Sequence, residues 1–214
     1  MKLEAITWQR MAERLAGHLD APGEGGAPTW RRVGIDGAPA AGTGVLAGEL
    51  AEALRVRGRS VLVVAAGGFL RPASLRFEFG REDVDAYLGG WYDTGALWRE
   101  VFAPTDPGGS GRVLPDLWDP VTDRATRSPY TELPPGGVLI VHGPLLLGHW
   151  FPFDLSVHVS LSAGALGRRT DPAERWTLPA YARYAREVGP ESAADVLVRA
   201  DDPRHPAWTG LRQP

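Results

Sequence analysis

Eight residues between two apolar segments, Gly37-Ala-Pro-Ala-Ala-Gly-Thr-Gly44, have the composition of a turn that can cradle an anion. Gly37 and Gly42 have the spacing of the two glycines in a phosphate-binding GxxxxGK[ST] loop. Backbone N–H groups in such a turn, including those of Ala40 and Ala41, attract phosphate with help from the dipole of the helix that follows. Phosphoryl transfer asks for more: a lysine on the β- and γ-phosphate oxygens and a hydroxyl on Mg²⁺. Thr43 stands at the lysine position and Gly44 at the hydroxyl position. Pro39 removes one N–H, early in the turn where the loss matters little.

Other chemistry-bearing residues lie further along the chain. Asp36 directly precedes the loop and is a candidate to hold Mg²⁺ through waters. His142 and His158 raise a metal reading, but no Asp/Glu/His spacing makes a convincing site, so no metal is expected; each also suits a hydrogen-bonded structural role. His142 is in addition a candidate general base. In GGWYDTGALW an aromatic stands beside a carboxylate. Tyr92 can stack on a base while Asp93 binds sugar hydroxyls, or Tyr92 is core and Asp93 caps the next helix. Arg168 and Arg169 are either phosphate clamps or a solvated helix surface. SLSAGALG has serines but no nucleophile elbow, so hydrolase chemistry lacks support.

The elements that must position these groups can be read from periodicity. Residues 7–19 form an amphipathic helix with Thr7 as its cap. DAPGEGGAP is a connector, so residues 1–20 and 21–30 divide into helix and flexible linker. RRVGID is a strand, VLAGELAEALRVRG a helix ending at Gly58, and SVLVVAA a strand buried on both faces. DTGALWREVFAP is a helix stopped by Pro104, with Trp98 in the core. A hairpin is expected around DPVTD. GGVLIVHG and DLSVHVSLS are strands, PAYARYAREV is a helix, and ADVLVRA is the last strand. Trp118, Trp150 and Trp208 fall in loops. Continuous apolar strands alternating with helices predict an α/β fold: a parallel β-sheet covered by helices on both faces, with ligands beyond the carboxyl ends of the strands. There DGAPAAGTG, AAGGFLRP and VHGPLLL should meet.

Composition narrows the partners. A formal charge of −3 gives no basic footprint, which argues against nucleic acid. No apolar run approaches a membrane span, and no signal peptide is visible. The absence of cysteine removes disulfides and thiol catalysis, and a cytoplasmic location fits. Lys2 is the single lysine, so none elsewhere can replace the one missing from the loop.

The order VGIDGAPAAGTG, VLVVAAGGFLRP, WYDTGALWREVFAP, VLIVHGPLLL, ADVLVRADDP resembles the bacterial uridine kinase family of P-loop nucleoside kinases, over roughly residues 5–207. The resemblance implies a single domain over residues 1–214 with a three-layer P-loop NTPase sandwich. It also implies an acceptor-side or lid insertion at roughly residues 70–131, and ATP and Mg²⁺ as cofactors. It places Phe69, Arg71, Tyr92 and Asp93 on the acceptor-nucleoside side. The anion-binding set is Gly37, Ala40, Ala41, Gly42, Thr43, Gly44 and the lid arginines Arg168 and Arg169. The departures fall on the chemistry. Beyond Thr43 and Gly44, the family's Asp-Asp-Phe motif is replaced by Gly67, Gly68, Phe69, and the acidic residue before a later glycine by His142. Each lost charge-stabilising group costs about 10²–10³-fold in rate. Three readings follow. The first is a pseudokinase with a degenerate Walker A loop that binds a nucleoside, nucleotide or similar small molecule. The second is an active nucleoside kinase of altered mechanism, and the third a non-catalytic scaffold, with a homo-oligomer open to each.

Overall fold

The computed structural model describes residues 3–20 and 30–211. Most of the expected connector at 21–30 lies outside them. The chain runs through β1 (Glu4–Ala5), α1 (Trp8–Leu19), β2 (Arg31–Asp36), α2 (Thr43–Val56), β3 (Val61–Ala65), α3 (Ala73–Arg76), α4 (Val84–Gly90) and α5 (Thr94–Leu97). Then follow β4 (Arg112–Val113), β5 (Trp118–Asp119), β6 (Arg124–Ala125), β7 (Thr131–Glu132), β8 (Val138–Gly143) and β9 (Leu155–Ser160). The last elements are α6 (Ala163–Arg169), α7 (Leu178–Glu187), α8 (Pro190–Ala193), β10 (Val196–Arg199) and β11 (Ala207–Trp208).

Seven strands form one sheet in the order β1-β11-β10-β9-β2-β8-β3. The five from β10 to β3 are parallel, and β1 and β11 extend the sheet antiparallel. β2 is central, and the chain leaves it first toward β8 and β3, then returns to β9 on the other side. That reversal opens a crevice at the strands' carboxyl ends, which is where the loop after β2 lies. α1 and α2 cover one face. Met11, Leu15 and Leu19 of α1, and Leu46, Leu50 and Leu54 of α2, recur at helical spacing and pack on Val33, Ile35 and Val157. Thr7 caps α1, accepting from the Arg10 N–H. The other face carries α5 with Phe102 and Phe69, then an aromatic cluster of α4 and α7.

Three expectations need correction. β3 is an edge strand, so Val61, Leu62 and Val63 are half-buried rather than buried on both faces. Trp98 is 43% exposed rather than core, because α5 gives way there to a π-helical turn and its ring lies over Phe151. Neither Trp118 nor Trp208 is in a loop: Trp118 opens β5, while Trp208 belongs to β11, is 1% exposed, and makes β11 rather than ADVLVRA the last strand. The hairpin around DPVTD is present, with Trp118 opposite Ala125 and Asp119 opposite Arg124.

Gly34 in β2 shows why a central strand tolerates a residue without a side chain: an added Cβ would sit 2.7 Å from the Phe153 ring. Overpacking of this kind costs about 1–3 kcal/mol. Gly34→Ala should therefore lower the urea midpoint with the m-value unchanged. An unaltered midpoint would show that Phe153 turns aside freely.

Candidate functional site

The three predicted segments meet at the carboxyl ends of β2, β3 and β8. The Gly37 N–H donates to the Gly143 carbonyl at 3.1 Å, and a Cβ at Gly143 would meet that of Ala66 at 2.8 Å. A Cβ at Gly37 would sit 2.6 Å from the Val159 carbonyl, so the loop leaves the sheet through a gap only glycine fits. Pro39–Ala41 make one 3₁₀ turn, and Gly42 enters α2 in the left-handed region at φ 85°. α2 opens with no side-chain cap. Its first amides are thus left for solvent or a ligand. Ala40 is partly exposed, while Ala41 is buried.

The side chains do not supply what the backbone invites. Thr43 is 5% exposed, and its Oγ1 lies 3.5 Å from His142 Nδ1, turned into the protein. A Cβ at Gly44 would lie 3.3 Å from the His142 ring. His142 therefore occupies the space under positions 43 and 44, and burial lowers its pKa below the usual histidine value. Gly67 and Gly68 offer no carboxylate at the end of β3, and a Cβ at Gly68 would sit 2.8 Å from that of Asp116.

Asp36 is fully buried, and both its oxygens are engaged: Oδ1 accepts the Leu146 N–H at 2.8 Å, and Oδ2 lies 2.6 Å from His158 Nδ1. Register sets this contact, since Asp36 is the β-partner of His158. Asp36 so used is not free to take a metal's waters. Among the described residues no three His, Asp or Glu are gathered as a cation site would need.

The lid arginines point elsewhere. Arg169 donates to the Ala200 carbonyl at 2.8 Å and also to the Asp201 carbonyl, so it tethers α6 to the end of β10. Arg168 is exposed, with Nη1 only 3.3 Å from where a Gly164 Cβ would be, lying back on its own helix. The acceptor-side candidates are brought together, since Leu70 bridges Tyr92 and the Asp93 N–H donates to the Phe69 carbonyl at 2.8 Å, but their side chains go to separate uses. Phe69 is fully buried in the core. Asp93 caps α5, accepting the Ala96 N–H at 2.8 Å. Arg71 is exposed, and its N–H joins the Trp91 carbonyl. Tyr92 packs edge-on against Tyr87.

Sequence reading missed what fills the acceptor side. Tyr87 of α4 and Tyr181 of α7 are joined hydroxyl to hydroxyl at 2.6 Å, and the Trp176 ring packs tilted against Trp91, centroids 5.2 Å apart. The Tyr184 hydroxyl is held by the backbone N–H and carbonyl of Leu147. Burial raises the pKa of these three tyrosines and of Tyr92, and the charge of Asp36 adds to this at Tyr181 and Tyr184. The available signal was Tyr181 and Tyr184, one helical turn apart in PAYARYAREV. Arg76, buried with its guanidinium 5.1 Å from the Trp91 ring, carried no signal. Beneath α7 lies a cavity of about 480 Å³ reaching from Ala38 and Ala41 of the loop to His158 and the α6–α8 segment.

No family model matches the sequence. No curated protein matches it either. Solved structures do. A "Possible Uridine Kinase" from Bacillus stearothermophilus aligns over 87% of this chain and 96% of its own, at 22% identity and TM-score 0.68. A protein described as a fructose transport system kinase from Silicibacter sp. TM1040 covers 88% and 96%, at 23% and 0.62. D-glycerate 3-kinase from Cryptococcus neoformans var. grubii covers 84% and 80%, at 15% and 0.51. With its central parallel sheet, glycine loop and flanking helices, the chain resembles the uridine kinase family and has the P-loop kinase-like α/β fold of these neighbours.

Proposed function

We propose that this protein is a uridine kinase-like pseudokinase: it binds a nucleoside, nucleotide or similar small molecule and does not transfer phosphoryl groups efficiently. One observation carries the reading. The glycine turn still leads into an uncapped helix through left-handed Gly42, yet the side chain in the lysine position, Thr43, is buried against His142. The residues present do not fit Mg²⁺-ATP chemistry. Gly44 has no hydroxyl, Gly67 and Gly68 have no carboxylate, Asp36 is committed to His158 and Leu146, and Arg169 is committed to backbone carbonyls. The loop amides and the cavity beside them support ligand binding. Volume favours it too, since small-molecule pockets run from about 300 to 1,000 Å³. Among the described residues no helix is long and apolar enough to cross a membrane.

Thermal unfolding with ATP, with and without Mg²⁺, and with a nucleoside panel tests the reading. A ligand at 100 times its dissociation constant stabilises by about 2.7 kcal/mol. The expected outcome is a shift with at least one nucleoside or nucleotide that does not need Mg²⁺. Phosphoryl transfer should stay at or below about 10⁻³ s⁻¹, against roughly 1–100 s⁻¹ for working kinases. Turnover in that working range would overturn the proposal.

His142 provides a second test. Its pKa is lowered in the folded state, so the unfolded chain binds the proton more readily. Its contribution to stability is complete above the unfolded value of about 6.5 and is lost as pH falls toward the folded value. His142→Gln should flatten the dependence of unfolding free energy on pH below about 6.5. A slope identical to the parent's would place the titrating group elsewhere.

A further inference from the structure

The cavity under α7 is walled mostly by hydrocarbon. Val159 of β9 and Leu161 just after it, Leu166 of α6, Leu178 and Ala182 of α7, and Pro190 of α8 all face it. Among the described residues that line it there is no lysine or arginine. Its volume of about 480 Å³ is roughly three times the ~150 Å³ of an apolar cavity that takes a single benzene ring. Two or three linked rings therefore fit.

The polar side chains on this wall are already engaged within the protein. The Tyr181 hydroxyl is bonded to that of Tyr87, and the Tyr184 hydroxyl to the Leu147 backbone. The Ser160 hydroxyl donates to Glu191 Oε1, and Arg199 donates to Oε2. His158 Nδ1 lies 2.6 Å from the Asp36 carboxylate, which balances any charge the imidazole takes. An anion entering this space would shed its water and meet Glu191, with no lysine or arginine in the wall to receive it. A cation would have to displace Arg199 from Glu191. An uncharged hydrocarbon body incurs neither cost and gains by burial against the aliphatic side chains.

We propose that this cavity binds an uncharged molecule of two or three rings through burial of its apolar body, and excludes phosphate-bearing groups. The inference rests on the proposed ligand-binding function and narrows its ligand by charge and size. Selectivity of this kind needs no particular hydrogen bond. It comes from the cost of bringing a charge into a wall that has no partner for it.

Two fluorescent probes decide it. N-phenyl-1-naphthylamine and 1-anilinonaphthalene-8-sulfonate share one three-ring body and differ by a sulfonate. Both brighten on leaving water, so titration of the full chain reads each affinity. The neutral probe should bind at least about tenfold more tightly than the sulfonate. Leu166→Trp, which fills the cavity, should abolish binding of the neutral probe. Leu166→Lys, which adds a cation to the wall, should move the preference toward the sulfonate. In the unaltered protein, cross-relaxation from the rings of the neutral probe should reach the methyl groups of Val159, Leu161 and Leu166, a readout that needs no variant to fold. Equal affinities, a preference for the sulfonate, or cross-relaxation confined to methyl groups elsewhere would overturn this inference. So would failure of the neutral probe to bind, or binding that survives Leu166→Trp. In each case a thermal shift with a nucleoside or nucleotide would leave the broader ligand-binding reading standing, and silence across that panel as well would remove both.

Discussion

A carboxylate with no access to water anchors the functional end of this molecule. Asp36 ends the central strand and is fully buried, a position that is expensive unless each oxygen is satisfied. It is satisfied from two sides: the Leu146 N–H fixes the segment after β8, and His158 fixes β9. The carboxyl ends of three parallel strands, β2, β8 and β9, are thereby tied at one point. The glycine loop starts at the next residue, and its path between the Gly143 and Val159 carbonyls depends on those same strands staying in register.

The sheet and its covering helices were largely legible because they rest on local periodicity. RRVGID, GGVLIVHG and DLSVHVSLS each form strands where the apolar runs stand, and α2 ends with Val56, close to Gly58 at φ 77°. The limits of the reading are equally physical. An apolar run does not reveal whether its strand is central or at an edge, which is why β3 was misjudged: edge position is decided by chain order. β11 is two residues long, too short for a periodic pattern, and one of its two partners, β1, lies at the other end of the sequence.

The site was legible as a frame and not as a network. Gly37 and Gly42 could be recognised from spacing, and the missing lysine from identity. The partner of Asp36 could not, because 122 positions separate it from His158 and only strand register brings them together. Phe69, Asp93 and Arg169 have chemically suitable side chains that the fold uses for packing, capping and tethering. Residue type states what a group is able to do, and the local demand for hydrogen bonds and burial determines what remains available.

The hydroxyl pair of Tyr87 and Tyr181 joins α4 to α7, and with Trp91 and Trp176 it closes the space between them. Enzymes that open and close at each turnover need such surfaces to part cheaply, on the microsecond-to-millisecond scale. Here, parting them would wet several aromatic rings and break the hydrogen bond between buried Tyr87 and half-buried Tyr181. If the cavity beneath α7 takes a ligand, this contact holds that wall still, so the space is preformed rather than assembled on binding.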